Sequence, residues 1–108
     1  MLDTSPFKGW PSRDCRPVLK LIFEPKELEK KYHLSFVKDK DDLDWFEASH
    51  FCDSEIGPVV MIRHENSPQP GTPIYIDAAL NINVAINRII EVLNLDASVI
   101  SWNVLNDK

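Results

Sequence analysis

Two stretches of alternating apolar and polar residues, Trp45–Cys52 and Pro58–Glu65, constrain this chain more than any other feature. A five-residue segment that ends in glycine separates them, which is a typical connection between the strands of a β-hairpin. Pairing the inner ends of the two stretches places Glu47 directly opposite Arg63. Because an oppositely charged cross-strand pair stabilises a ladder by about 0.2–1 kcal/mol, the sequence predicts an antiparallel hairpin in this register.

A third strand is predicted at Pro73–Asp77, after a turn region that is rich in proline. Because Pro73 has no N–H group to donate, it should stand at the start of this strand. We expect it to lie opposite Glu65, which places Tyr75 across from Arg63. The three strands would then form a β-meander.

In this register the two faces of the meander differ in character. The apolar face contains Phe46, Ala48, His50, Cys52, Val60, Ile62 and His64. The mixed face contains Trp45, Glu47, Phe51, Met61, Arg63, Glu65, Tyr75 and Asp77. Since an odd slip in register would exchange the faces, we expect the apolar face to carry the core.

The clearest helical pattern runs from Ala79 to Leu93. Its apolar stripe consists of Ile82, Ala85, Ile86, Ile89, Ile90 and Leu93. A shorter helix is predicted to begin at Pro25, a residue that suits the first helical turn, with Leu28 and Tyr32 on one side. We expect the longer helix to pack on the apolar face of the meander.

Shorter apolar runs predict further strands at Val18–Phe23, Leu34–Val37 and Val99–Trp102. The combined pattern predicts an α+β fold with a single mixed, mostly antiparallel sheet of about five strands and two helices. A chain of 108 residues suits one domain with one core. Residues 1–16 are predicted to form an irregular arm, which Phe7 and Trp10 would attach to the body.

Composition argues against several classes of function. The longest mostly apolar stretch, Ala78–Leu95, is interrupted by amide and charged residues, so we expect no membrane span. A net charge of −5 argues against a nucleic-acid partner. The chain does not begin with a basic segment followed by an apolar run, so no secretory signal is predicted. Cys15 and Cys52 lack CxxC spacing, and we expect free thiols in a reducing cytoplasm.

The histidines and cysteines raise the question of a metal or catalytic site. In the predicted register His50 and His64 lie about 13 Å apart along the hairpin, too far to share a zinc ion. Cys52 shares a face with His50, but that spacing alone does not activate a thiol. No nucleophile elbow, phosphate-binding glycine loop or dinucleotide-binding fingerprint is present. We therefore expect neither a metal site nor a cofactor, and the sequence assigns no enzymatic activity.

Acidic residues are concentrated between Asp39 and Glu55, where seven acids accompany one lysine. Loop charges that serve only solubility would give the same pattern. The mixed face, however, carries aromatic residues, Met and Arg, which are enriched at protein interfaces. The sequence therefore favours a small cytoplasmic protein-binding module, of inhibitor or immunity type, that docks a basic partner through this face. The predicted anchors are Trp45, Tyr75 and Arg63, and the predicted steering acids are Asp41, Asp42, Asp44, Glu47, Asp53 and Glu55.

Two other functions stay open at this level. A homodimeric structural protein could join through the mixed face, or through Leu80 and Val84, which lie outside the apolar stripe. A small ligand-binding protein or enzyme could use His50, His64 and Cys52 in a pocket between sheet and helix. The first helix or the N-terminal arm could also cover the mixed face as a second layer of core.

Overall fold

The computed structural model of the chain describes residues 3–5, 14–40 and 44–106, with residues 3–5 described at the level of the backbone. Its strands are β1 (Asp3–Ser5), β2 (Cys15–Leu21), β3 (Val37–Lys40), β4 (Trp45–Asp53), β5 (Gly57–His64), β6 (Thr72–Asp77) and β7 (Ile100–Asn103). Its α-helices are α1 (Pro25–Tyr32) and α2 (Ile82–Leu93). Short 3-10 helices follow at Ala97–Val99 and Val104–Asn106.

All seven strands belong to one sheet, in the order β1-β4-β5-β6-β2-β7, with β3 also paired to β4. The predicted α+β class, with a single sheet and two helices, is therefore confirmed. The sheet is larger than the expected five strands, and every pairing among the described strands is antiparallel rather than mixed. The connection from β6 through α2 to β7 joins two strands that run in the same direction, with β2 between them.

The hairpin of β4 and β5 has the predicted register. Glu47 lies opposite Arg63, and Phe51 lies opposite Val59. The turn between the strands is formed by residues 54–56, and Gly57 takes a left-handed φ of 77° at the start of β5. Gly adopts this conformation without steric cost, which explains the glycine at this end of the turn.

The predicted register between β5 and β6 is wrong. Tyr75 lies opposite Val60 instead of Arg63, a displacement of three residues along β5. An odd displacement moves every β6 side chain to the other face of the sheet. Ile74 and Ile76 therefore join the face that carries Met61 and Val59, and Tyr75 leaves it.

The placement of the longer helix on the apolar face is consequently also wrong. The main core contains α2 residues Ala85, Ile86, Ile89 and Leu93 together with Phe51, Val59, Met61, Ile74 and Ile76. Two of these strand residues, Phe51 and Met61, belong to the predicted mixed face. Ile74 and Ile76 decide which face of the sheet is buried. They supply two fully buried side chains to the face on which the hairpin alone places more polar residues.

The opposite face carries a second, smaller cluster, which is formed by Ala48, Val60 and Ile62 with Phe46 and Tyr75 packed against them. Its three central side chains are buried. Phe7 and Trp10, which are predicted to attach the N-terminal arm, lie outside the described residues. The prediction of an irregular arm over residues 1–16 is wrong where the structure describes it, because Asp3–Ser5 pairs with β4 and β2 begins at Cys15.

The boundaries of α2 follow from its caps. The Asn81 side chain accepts a hydrogen bond from the Val84 N–H at 3.1 Å, which satisfies one of the free donors at the start of the helix. Asn94 ends the helix in the left-handed conformation, with a φ of 51°. The helix is therefore three residues shorter at its N-terminus than the periodicity from Ala79 predicts. Among the described residues, neither helix is long and apolar enough to cross a membrane.

Gly71 is required by its surroundings, and we expect Gly71→Ala to destabilise the fold by at least about 2 kcal/mol. Its φ is 98°, and a Cβ atom at this position would overlap the carbonyl oxygen of Leu21. Gly57→Ala is the matched control, because Gly57 also has a positive φ but faces open space. Urea unfolding of both variants checks this, and equal losses of stability would contradict a clash at Gly71.

Ser49 is fully buried, and none of the described residues hydrogen-bonds its hydroxyl. Because an unsatisfied buried hydroxyl costs about 1–3 kcal/mol, we expect Ser49→Ala to raise the free energy of unfolding by about 1 kcal/mol. Thr72→Val provides the contrast, since the buried Thr72 hydroxyl donates to the Phe23 carbonyl at 2.8 Å and its removal should destabilise. A loss of stability in Ser49→Ala, measured by urea unfolding, would refute this account.

Candidate functional site

A groove of about 290 Å³ lies at the end of the hairpin where β4 begins and β5 ends, beside the N-terminus of α1. Its lining comes from four elements (α1, β3, β4 and β5) and the residues that flank them: Glu24, Pro25, Lys26, Lys38, Trp45, Phe46, Glu47, Arg63, His64 and Glu65. We refer to it below as the Trp45 groove.

The floor of the Trp45 groove is organised by Glu24, the residue that precedes α1. Its backbone N–H donates to the Glu27 carboxylate at 3.1 Å, which helps to start the helix. Its own carboxylate accepts a hydrogen bond from Arg63 Nε at 3.2 Å and another from the Gly71 N–H at 2.7 Å. Glu24 therefore connects α1, the end of β5 and the loop before β6.

This arrangement changes the role expected of Arg63. The register opposes it to Glu47, yet its guanidinium forms its ion pair with Glu24 and donates through Nη1 to the His64 carbonyl at 3.2 Å. The side chain is only 16% exposed. Its charge is thus neutralised within the molecule, and it is oriented by two acceptors.

The Glu47 carboxylate is left without a partner in the described part of the chain, where it makes no hydrogen bond or ion pair. Glu47 is half-buried, and in the ladder it lies between Lys38 on β3 and Arg63 on β5. A partly desolvated carboxylate of this kind gains from any cation that enters the groove.

Trp45 forms the rim of the groove and is 44% exposed. Lysine ammonium groups lie near its indole ring: Lys38 Nζ is 5.5 Å and Lys40 Nζ is 5.8 Å from the centroid. Both distances are within the range of cation–π attraction, which is stronger for Trp than for the other aromatic residues. The ring is therefore positioned to accept positive charge.

The predicted mixed face divides into two parts in the structure. Phe51 and Met61 are buried in the core, whereas Trp45, Glu47 and Arg63 come together at the Trp45 groove. Tyr75, the remaining predicted anchor, projects from the opposite face beside Val60 and lies outside the groove. The mixed face is therefore covered at Phe51 and Met61 and open at the Trp45 groove.

Apart from Glu47, the predicted steering acids that the structure describes have partners within the molecule. Asp44 accepts hydrogen bonds from the backbone N–H and side-chain amide of Asn66, each at 2.8 Å, and so holds the turn after β5. Asp53 is 5% exposed and lies 2.9 Å from Arg88 Nε, and the exposed Glu55 lies 2.8 Å from the same nitrogen. Asp41 and Asp42 lie outside the described residues.

Arg88 therefore fastens α2 to the turn between β4 and β5. The hydrogen bond from Arg88 is the main cause that lowers the pKa of Asp53, and the backbone N–H groups of Glu55 and Ile56, at 3.0 and 3.1 Å, lower it further against the effect of burial. Asp53 thus acts within the fold, and its charge is not displayed to a partner.

Several residues of the Trp45 groove were not predicted as site residues. Glu24 could have been found from its place before Pro25 at the start of a helix. Lys38, and Lys40 near the Trp45 ring, were missed because β3 was predicted at Leu34–Val37, whereas the strand is Val37–Lys40. A charged strand of this type is tolerated at the edge of a sheet, where its side chains and one backbone edge reach water.

The alternative site at His50, His64 and Cys52 is not assembled. His50 pairs with Val60 and His64 with Phe46, so the predicted four-residue separation along the strand is correct. These residues project from the face opposite α2, which makes the expected pocket between sheet and helix wrong. Within the described residues no three metal-ligating side chains come together. Cys15 and Cys52 form no disulfide with each other.

The dimer contact predicted at Leu80 and Val84 is only partly exposed to solvent. Val84 on α2 is 61% exposed and Leu80 is half-buried. Dimerisation through either this pair or the mixed face stays a prediction.

No protein-family model, curated protein sequence or solved structure matches this chain. The functional inference therefore rests on the chemistry of the groove itself.

We expect Asp53→Asn to lower the free energy of unfolding by about 1–3 kcal/mol near neutral pH, since it removes a charge-assisted contact with Arg88 and keeps an oxygen for the turn N–H groups. Because the folded pKa of Asp53 is lowered, its stabilising effect is present above the unfolded pKa of about 3.9 and is lost as the pH falls through the folded value. The difference between wild type and variant should therefore shrink as the pH falls below about 3.9. Urea unfolding at several pH values measures it, and a difference independent of pH would contradict the assignment.

Proposed function

We propose that this chain is a small cytoplasmic protein-binding module that receives a basic side chain of a partner protein in the Trp45 groove. The carrying observation is the half-buried Glu47 carboxylate, unpaired among the described residues, beside the exposed indole of Trp45. An aromatic face together with a carboxylate is a suitable receptor for an ammonium or guanidinium group.

Arginine is the side chain that the groove suits best. Its planar guanidinium can lie against the Trp45 ring and donate two hydrogen bonds to the Glu47 carboxylate at the same time. Glu65, exposed at the rim, adds a second carboxylate. Arginine and tryptophan are also the residue types that most often dominate the binding energy of protein interfaces.

The charge of the whole chain favours the same partner. A net charge of −5 attracts a basic protein over a distance of about a Debye length and raises the rate of association. In this proposal the chain masks a basic surface, as an inhibitor or immunity-type protein does. The acids Asp41 and Asp42 would contribute to steering, whereas Asp53 would not, because its charge is neutralised by Arg88.

The test is a titration with a capped peptide of alternating Arg and Gly residues, followed by NMR of the Trp45 indole and the backbone amides. We expect shifts confined to the Trp45 groove, and a peptide with Glu in place of Arg should produce none. Glu47→Gln should weaken binding about tenfold, because about 1.4 kcal/mol is the expected worth of one charged contact that is partly desolvated. Trp45→Ala should weaken it by a similar factor.

Glu55→Gln is the matched control, since it removes the same charge from the far end of the hairpin. It should reduce affinity by less than about twofold, through long-range attraction alone. Equal losses in Glu47→Gln and Glu55→Gln would show that only net charge matters and would refute a specific site. The absence of peptide-induced shifts at Trp45 and Glu47 would also refute it.

A further inference from the structure

The lysines beside Trp45 have an unusual arrangement. In the ladder of β3 and β4, Lys38 lies opposite Glu47 and Lys40 lies opposite Trp45. Both side chains are exposed and could extend into water, yet their ammonium groups lie 5.5 and 5.8 Å from the same ring centroid. Two like charges at one ring repel each other, so the indole must attract both for this placement to persist.

No other contact of the described residues holds these ammonium groups. Neither Lys38 nor Lys40 forms a side-chain hydrogen bond or an ion pair with a described residue, and even Glu47, opposite Lys38, is more than 4 Å from its nitrogen. An attraction to an exposed ring of about 0.5–1 kcal/mol is weak enough for another cation to replace it.

We infer that Lys38 and Lys40 are built-in competitors for the basic side chain that the Trp45 groove binds. In the free protein they place positive charge where the partner's guanidinium would lie, and binding requires them to swing away on their flexible stems. The β3–β4 hairpin would thereby set the affinity of the groove and reject weakly basic ligands. This inference rests on the proposed function and adds the element that regulates it.

Lys38→Gln/Lys40→Gln tests the inference, because glutamine removes the charge and keeps a long polar side chain. We expect this double variant to bind the Arg-Gly peptide more tightly than wild type. Each lysine removed should lower the dissociation constant about two- to fivefold, because its ammonium group no longer competes for the Trp45 ring. In the ligand-free protein, the indole N–H resonance and the fluorescence of Trp45 should also change. These spectroscopic readouts do not depend on whether any peptide binds.

Lys26→Gln is the control, since Lys26 lines the same groove and is exposed, but its ammonium group makes no cation–π interaction with the rings of the described residues. It changes the net charge by one unit, as each lysine substitution on β3 does. An equal gain in affinity per charge in Lys26→Gln would reduce the effect to general electrostatics and overturn the inference. Unchanged Trp45 spectra in the double variant would overturn it as well.

The two proposals fail in different ways. Wild-type binding with unchanged or weaker binding in the double variant would refute the competition and leave the docking function standing. Altered Trp45 spectra with no binding of the peptide by wild type or variant would refute the docking function, and with it the competition. Tighter binding by the double variant, together with altered spectra and a smaller effect of Lys26→Gln, would support both.

Discussion

The pairing between β5 and β6 decides which face of the sheet becomes the core. Among the described residues, only Val59, Val60 and Met61 of β5 pair with β6, and the ladder stops where Pro73 offers no N–H group. In this register Ile74 and Ile76 lie on the side of α2, and the buried side chains of the main core that come from the hairpin lie on the same side. The contact of Glu24, the residue before α1, with Arg63 near the end of β5 is built on this choice.

The Trp45 groove is a consequence of the same short ladder. Beyond Met61, β5 has no paired residue on the side of β6 in the described part of the chain, and the Glu24 carboxylate accepts hydrogen bonds there from both Arg63 and Gly71. This contact anchors α1 and removes Arg63 from its expected pairing with Glu47. One ion pair thus stabilises the junction of three elements, and a carboxylate without a partner among the described residues is the result.

Many of the acidic residues that give the chain its negative charge are paired with other residues of the same molecule. The acids between Asp39 and Glu55 read as one acidic region, but Arg88 engages Asp53 and Glu55 at one end of the hairpin, and Asn66 engages Asp44 at the other. The net charge still governs long-range attraction, since it does not depend on these pairs. In the function we propose, specific recognition would depend on the few carboxylates that the fold leaves accessible, above all Glu47.

Alternation and helical periodicity by themselves determined the α+β class, the hairpin register and both helices, because these features depend on neighbours a few residues apart or on a turn of fixed length. The tertiary structure alone decided the register of β6, the helix-covered face and the partner of Arg63. A loop of seven residues leaves several registers open, and the choice among them is made by packing against α2 and by the proline at the strand start. The proposed site lies where those long-range choices meet, and for that reason only part of it, Trp45, Glu47 and Arg63, could be read from the sequence.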